Sequence, residues 1–304
     1  MESKTVNPER IRKVAQSVIG LPTLPTVISK MLQMIDSKRA SADTLARLIS
    51  TDQALTAKLL KLANSAYYGY SREISTVNMA IIVLGFNTVK DMGLWLSVFD
   101  AFKNSNSGAV GFDAVKFWEH SAGCGVASRM LAKNTGSRYA GEAFVAGLLH
   151  DMGKMILNQY FAPEMAESLK LAQEAEMDID AAEMEVLGVS HGQIGAWLAE
   201  KWNLPDIICD TVKHHHDPWN ASSDPAFVAH ITVADTLCHL TQTGDSARNA
   251  PPKYDERLWN IFADALVPID EIDLESLQSD FLVEYGKSEA YSSVIKTDGL
   301  NGIM

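Results

Sequence analysis

Apolar residues recur along this chain with helical spacing, and no stretch alternates in the way several strands would require. The pattern predicts a first helix over 6–20, with Pro8 near its start. Leu21-Pro22-Thr23-Leu24-Pro25 follows as a rigid connector, since each proline fixes φ and drives the preceding residue out of the α region. A helix over 26–37 comes next. Ser41 is placed to cap 42–49, and Thr51 or Asp52 to cap 54–63. Asn64-Ser65-Ala66-Tyr67-Tyr68-Gly69 ends that helix in a loop. Thr76 caps 77–84, which stops at Gly85, and Asn87 opens a helix running to Phe102.

The run Lys103-Asn104-Ser105-Asn106-Ser107-Gly108-Ala109-Val110-Gly111 is polar, small and glycine-bearing, as a linker is. Helices are expected beyond it over 113–133, 141–150, 154–161, 163–176, 181–187, 191–202, 205–215 and 225–240. The pattern loosens through Ala250-Pro251-Pro252, resumes as acidic amphipathic helices over 255–266 and 271–285, and frays over the last fifteen residues. The fold class is therefore all-α. The expected domains are a helical N-terminal one over 1–105, a second over 112–243, and an acidic helical extension over 251–304. No solenoid-type repeat is present.

Composition narrows the partners more than the fold. With 304 residues, 47% of them hydrophobic, the chain has material for a sizeable core and for two domains. Its longest apolar runs, 79–85 and 94–99, fall short of the roughly 20 residues that cross a bilayer. The charged N-terminus lacks the apolar stretch of a secretory signal, so the expected location is the cytoplasm. A net charge of −12 argues against nucleic acid and against anionic membranes as partners. Cys124, Cys209 and Cys238 are too few and scattered for a disulfide framework or zinc ribbon, and read as small core side chains.

The eight histidines carry the chemistry. His150 and Asp151 are adjacent at the end of the apolar run Phe144-Val145-Ala146-Gly147-Leu148-Leu149. Such a pair suits a divalent metal: the imidazole gives a directed nitrogen, and the carboxylate neutralises part of the charge and can bridge two ions. His120 lies in an earlier helix, His191 opens another, His215 and His216 end the next, and Asp235 sits in the apolar run 231–240. A buried aspartate there is costly unless paired, hydrogen-bonded or metal-bound.

Residues 119–240 resemble the HD superfamily of metal-dependent phosphohydrolases, most closely over Glu142-Ala143-Phe144-Val145-Ala146-Gly147-Leu148-Leu149-His150-Asp151-Met152-Gly153-Lys154. The first half resembles the HDOD family, through Leu21-Pro22-Thr23-Leu24-Pro25, the run from Ala54 to Gly69, and Ala80-Ile81-Ile82-Val83-Leu84-Gly85. HDOD proteins are regulatory relatives of the HD hydrolases, often with a degraded metal site. The resemblance implies a helical HDOD bundle followed by an HD-type helical domain. It also implies a first metal on His120, His150, Asp151 and Asp235, and a second on Asp151, His191, His215 and His216, as in the two-metal HD-GYP relatives. The run His214-His215-His216 matches in two registers, and the following Asp217-Pro218 favours His215 and His216. Lys154 matches a lysine that faces phosphate in catalytic relatives, so any catalytic role falls to Lys154 and Asp151.

Two departures from the hydrolase pattern stand out. Trp219-Asn220-Ala221-Ser222-Ser223 replaces the Gly-Tyr-Pro loop, and Lys116 replaces a glutamate ligand of trinuclear sites. The expectation is thus a cytoplasmic regulatory protein holding one or two divalent transition-metal ions (iron, manganese, nickel or zinc). It would take a signalling protein partner or a small phosphorylated ligand. The rival is a dinuclear metal-dependent phosphohydrolase. Plainer readings apply elsewhere: His214 as a neighbour, His230 and His239 as ordinary polar residues, Glu119 as solvated, Tyr67 and Tyr68 as packing at a helix end. Trp197, Trp202 and Trp219 read as core or interface. Were the centre purely regulatory, Lys154 is expected to be an exposed helix residue.

Overall fold

In a computed structural model of the chain, the described residues are 26–35, 41–65, 68, 70, 72–102, 108–244, 254–267 and 274–286. The expected helix over 6–20, the Leu21-to-Pro25 connector, Tyr67, most of the linker, Ala250-Pro251-Pro252 and the chain end lie outside them. Among the described residues every regular element is helical. Residues 26–102 and 279–286 fall in one compact unit, residues 108–278 in another.

The first unit contains α1 (Thr26–Ile35), α2 (Ala42–Ser50), α3 (Gln53–Ala63), α4 (Val77–Leu84) and α5 (Phe86–Phe102). Its helix starts follow local chemistry. Ser41 accepts from the Thr44 amide at 3.2 Å, Asp52 from Leu55 at 3.0 Å, and Thr76 from Met79 at 3.1 Å, each satisfying an amide that the helix leaves unbonded. Of the two caps expected for α3, Asp52 takes the role. Gly85 ends α4 at φ 91°, a conformation that favours glycine, and α5 begins at the next residue. α5 is buried along most of its length, Lys90 and Asp91 included, with Trp95 stacked on Phe99 at 5.2 Å between ring centres.

The second unit holds α6 (Ala114–Asn134), α7 (Ala143–Leu149), α8 (Met152–Tyr160), α9 (Ala162–Ala175), α10 (Ile179–Val186), α11 (His191–Lys201) and α12 (Asp206–His214). A 3₁₀ turn at Pro218–Asn220, α13 (Pro225–Leu240) and α14 (Glu256–Asp264) follow. The last helix, α15 (Leu274–Gly286), has residues in both units. α6 packs on α7 and α13, and α11 on α8 and α12. Among the glycine contacts that are closer than a side chain allows, two lie at the meeting of these helices. A Cβ on Gly147 would lie 2.7 Å from the Cys124 carbonyl carbon, and one on Gly153 2.7 Å from that of His191. These approaches draw α6, α7, α8 and α11 together around one point.

α6 and α13 are also tied at their far ends. Buried His230 Nε2 lies 2.8 Å from Thr135 Oγ1, and its ring packs on Phe262 of α14 at 5.0 Å. Burial pushes the His230 pKa down to about 4 from an ordinary 6.5. The folded pKa is the lower one, so its effect on stability is absent above pH 6.5. As pH falls from 6.5 to 4, the unfolded chain takes a proton that the folded one refuses, and stability drops by about 3 kcal/mol. Urea unfolding at pH 7 and pH 4 should show that much of the acid loss removed in His230→Gln. An identical acid loss in both proteins would contradict the assignment.

Candidate metal centre

α7 and α8 are separated by an elbow at His150-Asp151, so both side chains emerge where two helices turn. His120 comes from the middle of α6 and Asp235 from α13. His191 is the first residue of α11, and His215 directly follows α12. His120, His150, Asp151, His191, His215 and Asp235 are buried; His216 is half-buried. The structure brings all seven predicted ligand residues together, in two groups. His120, His150 and Asp235 gather with Cys124, and Asp151 with His191, His215 and His216; within each, one ligand atom per residue lies within 4.8 Å of the others.

Three of the rings are oriented by bonds on their outer nitrogen. His150 Nδ1 donates to the Gly147 carbonyl at 2.7 Å and His215 Nδ1 to that of Val212 at 2.8 Å. His191 Nδ1 meets Glu183 Oε2 at 2.7 Å. Each leaves Nε2 facing the centre, the arrangement by which carboxylates and carbonyls orient metal-binding histidines. His191 Nε2 then stands 3.3 Å from His215 Nε2 and 3.0 Å from His216 Nε2. Ring nitrogens this close need a proton or a metal ion between them. Two nitrogens bound about 2.1 Å from one ion are separated by roughly 3.0–3.4 Å, which fits these spacings.

Asp151 joins the groups. Its Oδ1 is 3.2 Å from His191 Nε2 and 3.5 Å from His215 Nε2, while its Oδ2 is 3.4 Å from His150 Nε2 and 3.8 Å from His120 Nε2. Asp235 Oδ1 lies 3.0 Å from His120 Nε2 and 3.7 Å from His150 Nε2. Neither His150 Nε2 nor Asp151 Oδ1 closes a sound hydrogen bond, although both are buried. Donors, burial and orphaned atoms together fit a pair of cations with Asp151 between them.

Burial works against charge throughout the centre, and partners decide which groups keep theirs. It raises the Asp151 pKa, but the His150 ring and the Lys154 ammonium hold that carboxyl well below the usual range. Lys154 is lowered by burial and raised further by Asp151, so it stays cationic. For His191, burial is outweighed mainly by the Glu183 carboxylate, giving a pKa of about 9. His215 and His216 are pushed down by burial first, and both are neutral rings with a lone pair to offer.

Several sequence expectations change here. Lys154 is not an exposed residue after Gly153: it is 3% exposed in the first turn of α8, with Nζ 2.7 Å from Asp151 Oδ2. His214 is the neighbour expected, turned to Asp217 at 2.8 Å, with His215 and His216 facing inward. His239 is more than an ordinary polar residue, since its Nε2 lies 3.3 Å from Asp235 Oδ1. Trp219 is exposed, not core, with the Arg257 guanidinium 3.4 Å over its ring. Glu119 is half-buried, and Lys116 is exposed where trinuclear relatives carry a ligand. Glu183 escaped notice because it is one acid among Asp178, Asp180 and Glu185 in the same short stretch.

A pocket of about 590 Å³ opens beside the centre. Lys154, His216, Asp235 and His239 line it, together with Trp219 and Arg257. Among the described residues, no helix is long and apolar enough to cross a membrane.

Known proteins place this architecture. The chain is 26% identical over 220 residues to an uncharacterised protein of Treponema pallidum, a match covering 71% of this chain and 42% of that protein. It therefore spans less than half the length of that curated relative. An HDOD domain protein of unknown function from Geobacter sulfurreducens is 27% identical, with a TM-score of 0.74 over 97% of this chain and 100% of its own. A candidate signal transduction protein from Marinobacter aquaeolei shares the fold at 18% identity, with a TM-score of 0.76 over 95% of this chain and 65% of its own. The profile of the HDOD domain matches residues 21–218, and this chain belongs to the HDOD family.

Proposed function

We propose that this chain is an HDOD-type regulatory protein whose dinuclear transition-metal centre receives a small phosphorylated ligand. The observation that carries this is Asp151, with one oxygen towards each group and the second held by Lys154, which lines a pocket. First-row ions such as iron, manganese, nickel or zinc suit the imidazole and carboxylate donors. A bound pair supplies Lewis acidity towards a phosphoryl oxygen and a nucleophile at neutral pH. The protein's own part is to bind and orient. Lys154 brings a buried, fixed positive charge to a phosphate, and Asp151 keeps that charge in place. Trp219 and Arg257 offer the rest of the ligand a flat, partly cationic wall. The HDOD half is the proposed surface for a signalling protein partner.

Hydrolysis of the ligand is the second reading, and the burial of Lys154 favours it, because a fixed charge acts most strongly where charge develops in a transition state. The altered 219–223 segment speaks for regulation. Ser222 and Ser223 are tied to Asp210 through their amides at 2.8 and 2.7 Å, so this stretch is held back by its own bonds.

Protein purified without a metal-affinity column should carry about one to two equivalents of transition metal. Loaded with Mn²⁺ or Fe²⁺, it should not turn over bis-p-nitrophenyl phosphate or nucleotides above the metal-only background. Metal-dependent turnover that falls at least about tenfold, or 1.4 kcal/mol of barrier, in Lys154→Met would replace the regulatory reading with the enzymatic one.

A further inference from the structure

One atom sets the two groups apart: Cys124 brings a sulfur to the first. α6 places His120 and Cys124 one turn apart on the same face, with Cys124 fully buried. Cys124 Sγ lies 3.4 Å from His120 Nε2, the nitrogen that also stands 3.0 Å from Asp235 Oδ1. Around a tetrahedral ion, a sulfur at about 2.3 Å and a nitrogen at about 2.05 Å are roughly 3.5 Å apart. His150 Nε2, buried and without a hydrogen bond, completes the group, with every ligand atom within 4.8 Å of the rest. A cysteine serving only as core would have carbon around its sulfur. This one faces two ring nitrogens and a carboxylate.

We propose that Cys124 coordinates the first ion as a thiolate, making the two metal positions chemically unequal. This rests on the dinuclear reading above. The first position then offers sulfur, nitrogen and oxygen, and the second three imidazoles and a carboxylate. Sulfur tilts the first towards zinc or iron(II) and away from manganese and magnesium. On binding, the Cys124 S–H bond breaks, a sulfur–metal bond forms and the proton leaves to solvent, with no change of oxidation state. Cys238, one turn beyond Asp235 on α13, is a hydrogen-bond partner of Cys124.

The test is zinc X-ray absorption on the full chain, with bound zinc measured on the same sample. Wild type should show a sulfur neighbour at about 2.3 Å. A cobalt-loaded sample should show a sulfur-to-metal charge-transfer band. Both signals should persist in Cys238→Ser and vanish in Cys124→Ser, which should also lose at least about tenfold in affinity for one ion; that is the scale for outer-sphere partners and so a lower bound for a ligand. Wild type holding zinc with only nitrogen and oxygen neighbours would overturn the assignment of Cys124 while leaving the centre intact. Signals that survive Cys124→Ser and vanish in Cys238→Ser would overturn it too. Wild type that binds no zinc, cobalt, iron or manganese would overturn the centre itself.

Discussion

Asp151→Ala is expected to destabilise the second unit by about 3–5 kcal/mol, the range for breaking a buried charge pair from one side. The carboxylate is 1% exposed and lies between Lys154 Nζ at 2.7 Å and four imidazoles within 3.8 Å. Its removal takes from the buried Lys154 ammonium its 2.7 Å partner, and takes away the only carboxylate that faces both groups among the described residues. Surface ion pairs, worth about 0–1 kcal/mol, set the scale for an ordinary loss. Two contributions make up the effect and they separate experimentally. Chelation should lower the melting temperature of the wild type and leave that of Asp151→Ala nearly unchanged, since the variant has no ion to lose. The remaining gap between chelated wild type and variant measures the lost Asp151–Lys154 pair. Equal chelation shifts in both would mean that Asp151 holds no metal.

Gly153→Ala should also be damaging, although helix propensity points the other way. Alanine in a helix interior gains roughly 0.5–1 kcal/mol over glycine. Against that, the added methyl would overlap the His191 carbonyl oxygen and sit 2.7 Å from its carbon and 2.9 Å from its Cα. These are backbone atoms of the residue that opens α11, with no flexible tip to swing aside. Either α8 or α11 must move, at about 1–3 kcal/mol or more for overpacking, so the steric term wins. The displaced residue is His191 itself, whose Nε2 faces Asp151 and two imidazoles, so metal affinity should fall about 10–100-fold alongside stability. Calorimetric metal titration and thermal unfolding check the two effects. A variant at least as stable as wild type, with unchanged affinity, would show that the helices do not touch at Gly153.

Much of this protein follows from interactions no more than four residues long, and those the sequence determines. A hydroxyl or carboxylate three residues ahead of an amide makes a cap, so Ser41 and Thr76 mark their helix starts without any knowledge of the fold. Helical periodicity likewise makes the chain all-α, and the resemblance to the HD superfamily marks His120, His150-Asp151, His191, His215-His216 and Asp235 as a candidate ligand set. What the linear order lacks is direction. His214, His215 and His216 are chemically identical; the following Asp217-Pro218 favours the last two, and α12, ending at His214 and packed against α11, turns them inward and the first towards Asp217. Glu183 looks like its acidic neighbours until α10 lays it against the start of α11, where it orients His191. Lys154 could have been a solvated residue of an amphipathic helix. The close approach of α8 and α11 at Gly153 buries its side chain, and burial leaves Asp151 as the partner that keeps it charged. Cys124 carries the same sequence signal as any core cysteine. Its sulfur joins the nitrogens and oxygens of the centre only because α13, more than a hundred residues later, packs Asp235 against α6. The tertiary structure decided these roles because each depends on which faces of distant helices meet, and local propensity does not encode that.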